Sequence, residues 1–197
     1  EVVNIDPQER LILTTCWEAM EESGCTRKAL QDLYQGEVGV FIGMTKTGFN
    51  LHTRFGETVE SSRLPGTSFS SAANRVSWHL NLHGPSLSLD TMCASSLTAI
   101  HEACEYLRRG DCQVAFAGAV NLYLHPRAFL DLQLSRMLTD EREVDCFSEA
   151  GKGFLPGEGV GAVLLKPLAR AIDDGDYIVG VIRGTVINHG GRSNGYS

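Results

Sequence analysis

The sequence predicts an α/β fold built on a layered sheet. Short apolar runs at residues 38–42, 114–120 and 160–165, with a short strand at 86–89, alternate with stretches whose apolar residues recur every three or four positions. Residues 114–120 are apolar throughout and rich in alanine, as suits a strand covered on both faces. Hydrophobic residues make up 43% of the 197 and charged residues 21%, a balance that sustains a core and excludes whole-chain disorder.

Each element has a local reason. Asp6 caps the first helix, Pro7 suits its first position, and Glu9 completes a capping-box pattern. Leu13, Cys16, Trp17 and Met20 form its apolar stripe, and Gly24 ends it. Residues 38–42 read as a buried strand, and residues 44–67 as a loop-rich excursion. Residues 68–80 are helical, with Ala72, Val76 and Leu80 four apart. Residues 86–89 form a short strand running straight into a helix over 93–109, striped by Leu97, Ile100, Cys104 and Leu107 and stopped by Gly110. A strand at 114–120, a helix at 126–138, a charged, glycine-rich connection at 139–158 and a strand at 160–165 follow. A short helix at 168–173 and a β-branched run at 177–187 complete the reading. No internal repeat or low-complexity tract is present.

Charge and composition exclude several function classes. Lys and Arg number 17 against 24 Asp and Glu, a net charge of −7, and neither half is basic, so nucleic acid is not an expected partner. No apolar stretch approaches the roughly 20 residues of a membrane helix, and no basic-then-apolar start marks a signal peptide. A soluble, cytoplasmic protein is expected. The six cysteines (16, 25, 93, 104, 112, 146) include no Cys-x-x-Cys pair, and most read as small buried hydrophobes. No metal site is expected from the six histidines at 52, 79, 83, 101, 125 and 189.

Cys93 carries the chemical signal. It sits in Asp90-Thr91-Met92-Cys93-Ala94-Ser95-Ser96, at a sharp strand-to-helix junction that Asp90 or Thr91 can cap. In a helix's first turn, free N–H groups and the helix dipole favour a thiolate, and the Cys93 N–H is available to an oxyanion. Small neighbours leave room for a substrate. Cys104, in mid-stripe, reads as structural. Gly157-Glu158-Gly159-Val160-Gly161-Ala162 resembles a dinucleotide fingerprint, but it leads into a strand rather than opening a helix, so it is rejected. In Gly43-Met44-Thr45-Lys46-Thr47 the lysine stands too far from its glycine for a P-loop. His101 lies eight residues after Cys93, too far along the helix to serve as its base. His189, in a polar loop, reads first as a solvated turn residue, with a catalytic role left open.

These residues are closely similar to the ketosynthase (beta-ketoacyl synthase) domain of modular polyketide synthases, within the thiolase-like superfamily. Five blocks carry the resemblance in the family's order: Asp6-Pro7-Gln8-Glu9-Arg10 with Trp17-Glu18-Ala19; Ala73-Asn74-Arg75-Val76-Ser77; Gly84-Pro85-Ser86 through Cys93; Gly157-Glu158-Gly159 with its strand; and Asn188 through Gly195. The last block and Thr91-Met92-Cys93-Ala94-Ser95-Ser96 resemble the subfamily whose acyltransferase acts in trans.

The resemblance implies the layered αβαβα thiolase-like fold, represented by roughly its first half. Residues 1–197 would be the N-terminal portion of one incomplete ketosynthase domain, lacking the family's opening strand. It implies that Cys93 is the nucleophile, accepting an acyl chain from the phosphopantetheine arm of an acyl carrier protein, with no cofactor bound directly. It implies decarboxylative condensation with a malonyl-type extender, and a homodimer with the strand before Cys93 near the two-fold axis. The rest of the ketosynthase and synthase would be partners. The family uses two further histidines, in His-Gly-Thr and Asn-Gly-His-type blocks. No His-Gly-Thr occurs in this sequence, and His83-Gly84-Pro85 precedes the cysteine. The chain alone is therefore not expected to be competent for condensation. Two readings of other classes stand beside this one. The first is a thioester-binding or docking fragment without turnover. The second is a cysteine hydrolase pairing Cys93 with His189, which a separation beyond about 8 Å would remove.

Overall fold

The computed structural model describes residues 5–45, 48–52, 68–142, 144, 146–149 and 151–192. Its helices are α1 (Pro7–Glu22), α2 (Arg27–Tyr34), α3 (Ser71–Leu80), α4 (Ser95–Arg109), α5 (Arg127–Leu134) and α6 (Leu168–Asp173). Its strands are β1 (Val38–Gly43), β2 (Ser86–Leu89), β3 (Val114–Asn121) and β4 (Gly159–Leu165). They form one sheet in the order β2-β1-β3-β4, with β1 parallel to β2 and β3 and with β4 antiparallel to β3.

The sheet explains where the helices lie. From β1 the chain crosses through α3 to β2 at one edge, then returns through α4 over β1 to β3. Successive right-handed crossovers in opposite directions place their helices on opposite faces. Val38, Val40, Ile42, Val114 and Phe116 face α1, α2 and α3, in a core with Ile12, Cys16, Met20, Leu30, Val76 and Leu80. Phe41, Ala115 and Ala117 point the other way and receive Ala99 and Ala103 of α4. Alanine on both sides of that second core brings α4 close to the sheet. β3 is thus covered on both faces, as its composition predicts.

The first helix is capped by Asp6 but does not form the capping box. Asp6 Oδ1 accepts from the Gln8 N–H at 2.8 Å, and its carbonyl accepts the first helical bond, from Arg10. The Glu9 carboxylate instead turns into the molecule, where it accepts from Arg75 Nε at 2.6 Å and from the Ser71 hydroxyl. A long-range cation outcompetes the neutral backbone donor that a capping box would offer. Gln8, also buried, accepts the Leu122 N–H at 3.1 Å.

The structure differs from the sequence reading in further places. α2 was not read from the sequence; Thr26 caps it through Ala29 N at 3.1 Å, and only Leu30 and Tyr34 are buried, too short a stripe to stand out. α5 ends at Leu134 rather than 138, because Arg136 turns left-handed (φ 55°) and the Met137 N–H closes onto the Leu132 carbonyl. Leu138 then pairs with Phe154 in an isolated bridge. The run at 177–187 joins no strand among the described residues and is largely exposed. β-propensity supplies no hydrogen-bonding partner, and β2 and β4 bound the sheet without it. Much of the expected 44–67 loop, at 46–47 and 53–67, lies outside the described residues, as do residues 143, 145 and 150 of the 139–158 connection and residues 193–195 of the last block. Among the described residues no helix is long and apolar enough to cross a membrane.

Candidate functional site

The parallel strands β1 and β2 end side by side, Gly43 paired with Leu89, and the Met44 N–H extends the ladder to the Leu89 carbonyl at 3.0 Å. The carboxyl ends of parallel strands are where α/β sheets place ligands. Here the chain leaves β2, makes one 3₁₀ turn over Met92–Ala94, and enters α4 at Ser95. Cys93 sits in that turn, exposed, two residues before the α-helix begins. The sequence reading had placed it inside the helix. The difference arises from Met92, whose left-handed φ of 54° breaks the helical path between Asp90 and Ser95.

The turn is held by side chains on both sides of Cys93. Asp90 Oδ1 accepts the Met92 N–H at 2.9 Å. Ser95 Oγ accepts the Thr91 N–H at 2.9 Å and donates to the Met92 carbonyl at 2.6 Å. The Thr91 and Thr98 hydroxyls meet at 2.7 Å, joining the turn to the next turn of α4. Asp90 therefore holds the 3₁₀ turn from just outside it, since the cap residue Thr91 makes no side-chain cap bond, and α4 itself starts from Ala94 with no side-chain cap. The Cys93 amide has no hydrogen-bond partner among the described residues, so its N–H is open to an incoming oxygen.

Gly43 makes this close approach feasible. A Cβ there would stand 2.7 Å from the Ser95 carbonyl carbon and oxygen, so only glycine lets the end of β1 meet the start of α4. The N-terminus of α4 also directs its partial positive charge toward the turn, which favours an anionic sulfur or oxygen there.

Four of the other five cysteines are more buried than Cys93. Cys16 and Cys112 are buried, and desolvation pushes their thiols up to about 12 and about 11. Cys25 and Cys104 are half-buried, their thiols also raised chiefly by burial, which agrees with the structural reading of Cys104. Cys146 is exposed, so burial of most cysteines holds for the core pair and only partly beyond it.

No histidine is hydrogen-bonded to Cys93 among the described residues. His101 Nδ1 meets Thr185 Oγ1 at 2.8 Å, and His189 Nδ1 accepts the Gly191 N–H at 2.8 Å within its own turn. His79 and His83 stand four residues apart, a spacing that would pair two imidazoles on a helix. Asn81 turns left-handed and ends α3 at Leu80, so they do not share a helical face. His79 instead lies edge-on to Trp17, with ring centroids 6.2 Å apart. Among the described residues no three His, Cys, Asp or Glu side chains group as metal ligands. The glycine cluster at 157–161 runs into β4, as a strand and not a phosphate cradle.

The sequence reading missed one member of the site. Thr45, two residues past β1, donates its hydroxyl to Asp90 Oδ1 at 3.0 Å. Forty-five residues separate the pair, and only the parallel pairing of β1 with β2 brings them together.

Comparison with known proteins agrees with this geometry. The family model described as "Beta-ketoacyl synthase, N-terminal domain" matches residues 1–171, a span that includes the turn at Cys93. Polyketide synthase PksL of Bacillus subtilis is 48% identical over 98% of this chain, and polyketide synthase ThaG of Burkholderia thailandensis is 46% identical over 98%. The chain spans 4% and 3% of those two proteins. Among solved structures, the oxazolomycin ketosynthase domain OzmH KS7 of Streptomyces albus superposes with a TM-score of 0.88 at 42% identity, over 98% of this chain and 33% of that one. The ketosynthase from module 6 of the bacillaene synthase of Bacillus subtilis gives 0.86 at 34% identity, over 97% and 32%. The sheet and its helices are therefore those of the N-terminal part of the thiolase-like ketosynthase fold, and the chain belongs to the beta-ketoacyl synthase family.

Proposed function

We propose that this chain is the N-terminal portion of a single ketosynthase domain, residues 1–197, and supplies the acyl-accepting step of a polyketide condensing enzyme through Cys93. The observation that carries the reading is the exposed Cys93 on a braced turn between β2 and α4, with an open amide beside it. The substrate is an acyl chain held as a thioester on the phosphopantetheine arm of an acyl carrier protein.

The Cys93 sulfur attacks the thioester carbonyl, whose oxygen takes up the negative charge and receives the Cys93 N–H. Collapse expels the pantetheine thiolate, which takes a proton, and leaves the acyl group on Cys93. In the complete enzyme a malonyl-type thioester then loses carbon dioxide, and the resulting carbanion equivalent attacks the Cys93 thioester. The Cys93 thiolate leaves, and a β-ketoacyl thioester forms on the carrier. Splitting transfer from condensation in this way is the ordinary logic of covalent catalysis. The decarboxylation step draws on two histidines that family resemblance implies and whose His-Gly-Thr block is absent from this sequence. The chain therefore carries the first half-reaction. β2, half-buried and at the edge of the sheet, offers its free side to a second copy in a homodimer.

Intact mass after incubation with an acyl-pantetheine thioester tests the reading. An acyl-sized gain is expected in the parent and absent in Cys93→Ala. Equal gain in both would remove Cys93 as the acceptor. Retained carrier-protein binding by Cys93→Ala, with transfer lost, would separate an enzyme from a docking module.

A further inference from the structure

We propose that Thr45 is a positioning residue for Cys93, acting through Asp90 on the left-handed Met92; this rests on the acyl-acceptor reading above. Its hydroxyl donates to Asp90 Oδ1 at 3.0 Å and has the Met92 carbonyl and Ser95 Oγ each at 3.5 Å. Asp90 Oδ1 also accepts the Met92 N–H, so one oxygen is held from two sides.

Thr45 is itself well anchored. Met44 beside it is fully buried, and its N–H is tied to the Leu89 carbonyl. Thr45 therefore projects from a rigid strand end rather than from a free loop. Met92 is strained: a non-glycine residue at φ 54° persists only where its surroundings hold it. Asp90 and Ser95 supply that hold, and the Thr45 hydroxyl bonds it to the end of the neighbouring strand β1. Removing its hydroxyl leaves the Asp90 carboxylate one donor short and free to swing, which lets Met92 relax and turns the Cys93 sulfur away from its attack line. A displacement of about 1 Å in a reacting group costs on the order of a hundredfold in rate.

The test uses the full-length protein carrying these residues, as parent, Thr45→Val, Thr45→Ser, Asp90→Ala and Thr45→Val/Asp90→Ala. Single-turnover acylation by an acyl-pantetheine thioester is expected to slow about ten- to a hundredfold in Thr45→Val, with the concentration dependence unchanged. Thr45→Ser should regain most of the rate, and the double variant should be no slower than Asp90→Ala, because the two residues act in series. Thr45→Val acylating like the parent, Thr45→Ser failing as Thr45→Val does, or additive losses would each overturn the proposal. Iodoacetamide labelling of Cys93 at one fixed pH, in a Cys146→Ser background because Cys146 is also exposed, reads the turn without any thioester. The labelling rate should fall in Thr45→Val and return in Thr45→Ser, since the displaced turn re-aims the Cys93 sulfur; an unchanged rate would count against the proposal. A parent that labels normally but takes no acyl group would defeat the acyl-acceptor reading instead.

Discussion

Asp6 does two opposed things at the start of α1. One carboxylate oxygen caps the helix, an interaction worth about 1 kcal/mol in a typical protein. The other, buried, has no hydrogen-bond partner among the described residues, and neither does Arg10 Nε. Desolvation is the largest influence on Asp6 and raises its pKa above the ordinary 3.8, with the Glu9 charge adding to it and the Gln8 N–H opposing it. The sign of the pH effect follows. A carboxyl whose folded pKa is raised favours the folded state most below its unfolded value, and that contribution is lost as pH rises through the folded value. Asp6→Asn keeps an accepting oxygen for Gln8 and removes the buried charge. It should be at least as resistant to urea as the parent at pH 7, with the difference closing as pH falls toward 4. A midpoint at pH 7 well below the parent's would show that the charge itself stabilises α1.

Between elements, the decisive contact is the one joining α1 to α3. Glu9 is almost fully buried and Arg75 is about four-fifths buried, 22% of its side chain reaching solvent. Removing one member of such a pair strands the other's charge, at a cost of about 3–5 kcal/mol, whereas replacing both with apolar residues is far milder. Arg75→Met should therefore lower the unfolding free energy by about 3 kcal/mol, and Glu9→Leu/Arg75→Met should recover most of it, as denaturant titration would show. Equal losses in the single and double variants would mean that packing, not charge, is at stake. The pair matters to the site because α3 is also bonded to β2: Ser88 Oγ accepts the Ala73 N–H at 3.2 Å, and Ser77 and Ser86 share a 2.8 Å hydrogen bond. β2 delivers the chain to Asp90 and Cys93. Glu9 was legible as a helix-start residue, but its true partner, 66 positions away, was not.

At the scale of the whole molecule, order is uneven. β1 and β3 lie at the centre of the sheet, buried on both faces. Residues 177–187 belong to no strand, and Tyr177, Val179 and Val186 are among the most exposed apolar side chains. Hydrogen exchange on this 197-residue chain should find the amides of β1 and β3 the last to exchange and those of 177–187 the first, apart from locally bonded turns. Protection of 177–187 comparable to β3 would show that the run finds a partner strand after all. The contact between His101 and Thr185 is the one side-chain hydrogen bond recorded from that run to α4 among the described residues.

What the residues declare on their own is local. Alternating apolar runs and helical stripes specified the α/β class, the four strands and most helices, because period and composition are properties of neighbouring residues. The Cys93 junction was visible for the same reason: strand, nucleophile, small residues and helix follow one another within ten positions. The sheet order, the burial of Glu9 by Arg75, the left-handed Met92 and the reach of Thr45 to Asp90 were decided only by the tertiary structure. Each depends on segments tens of residues apart meeting at one place, and the chain between them carries no trace of where its ends will lie. The run at 177–187 makes the same point from the other side. Its β-branched side chains favour an extended backbone, but a strand exists only where another strand accepts its hydrogen bonds.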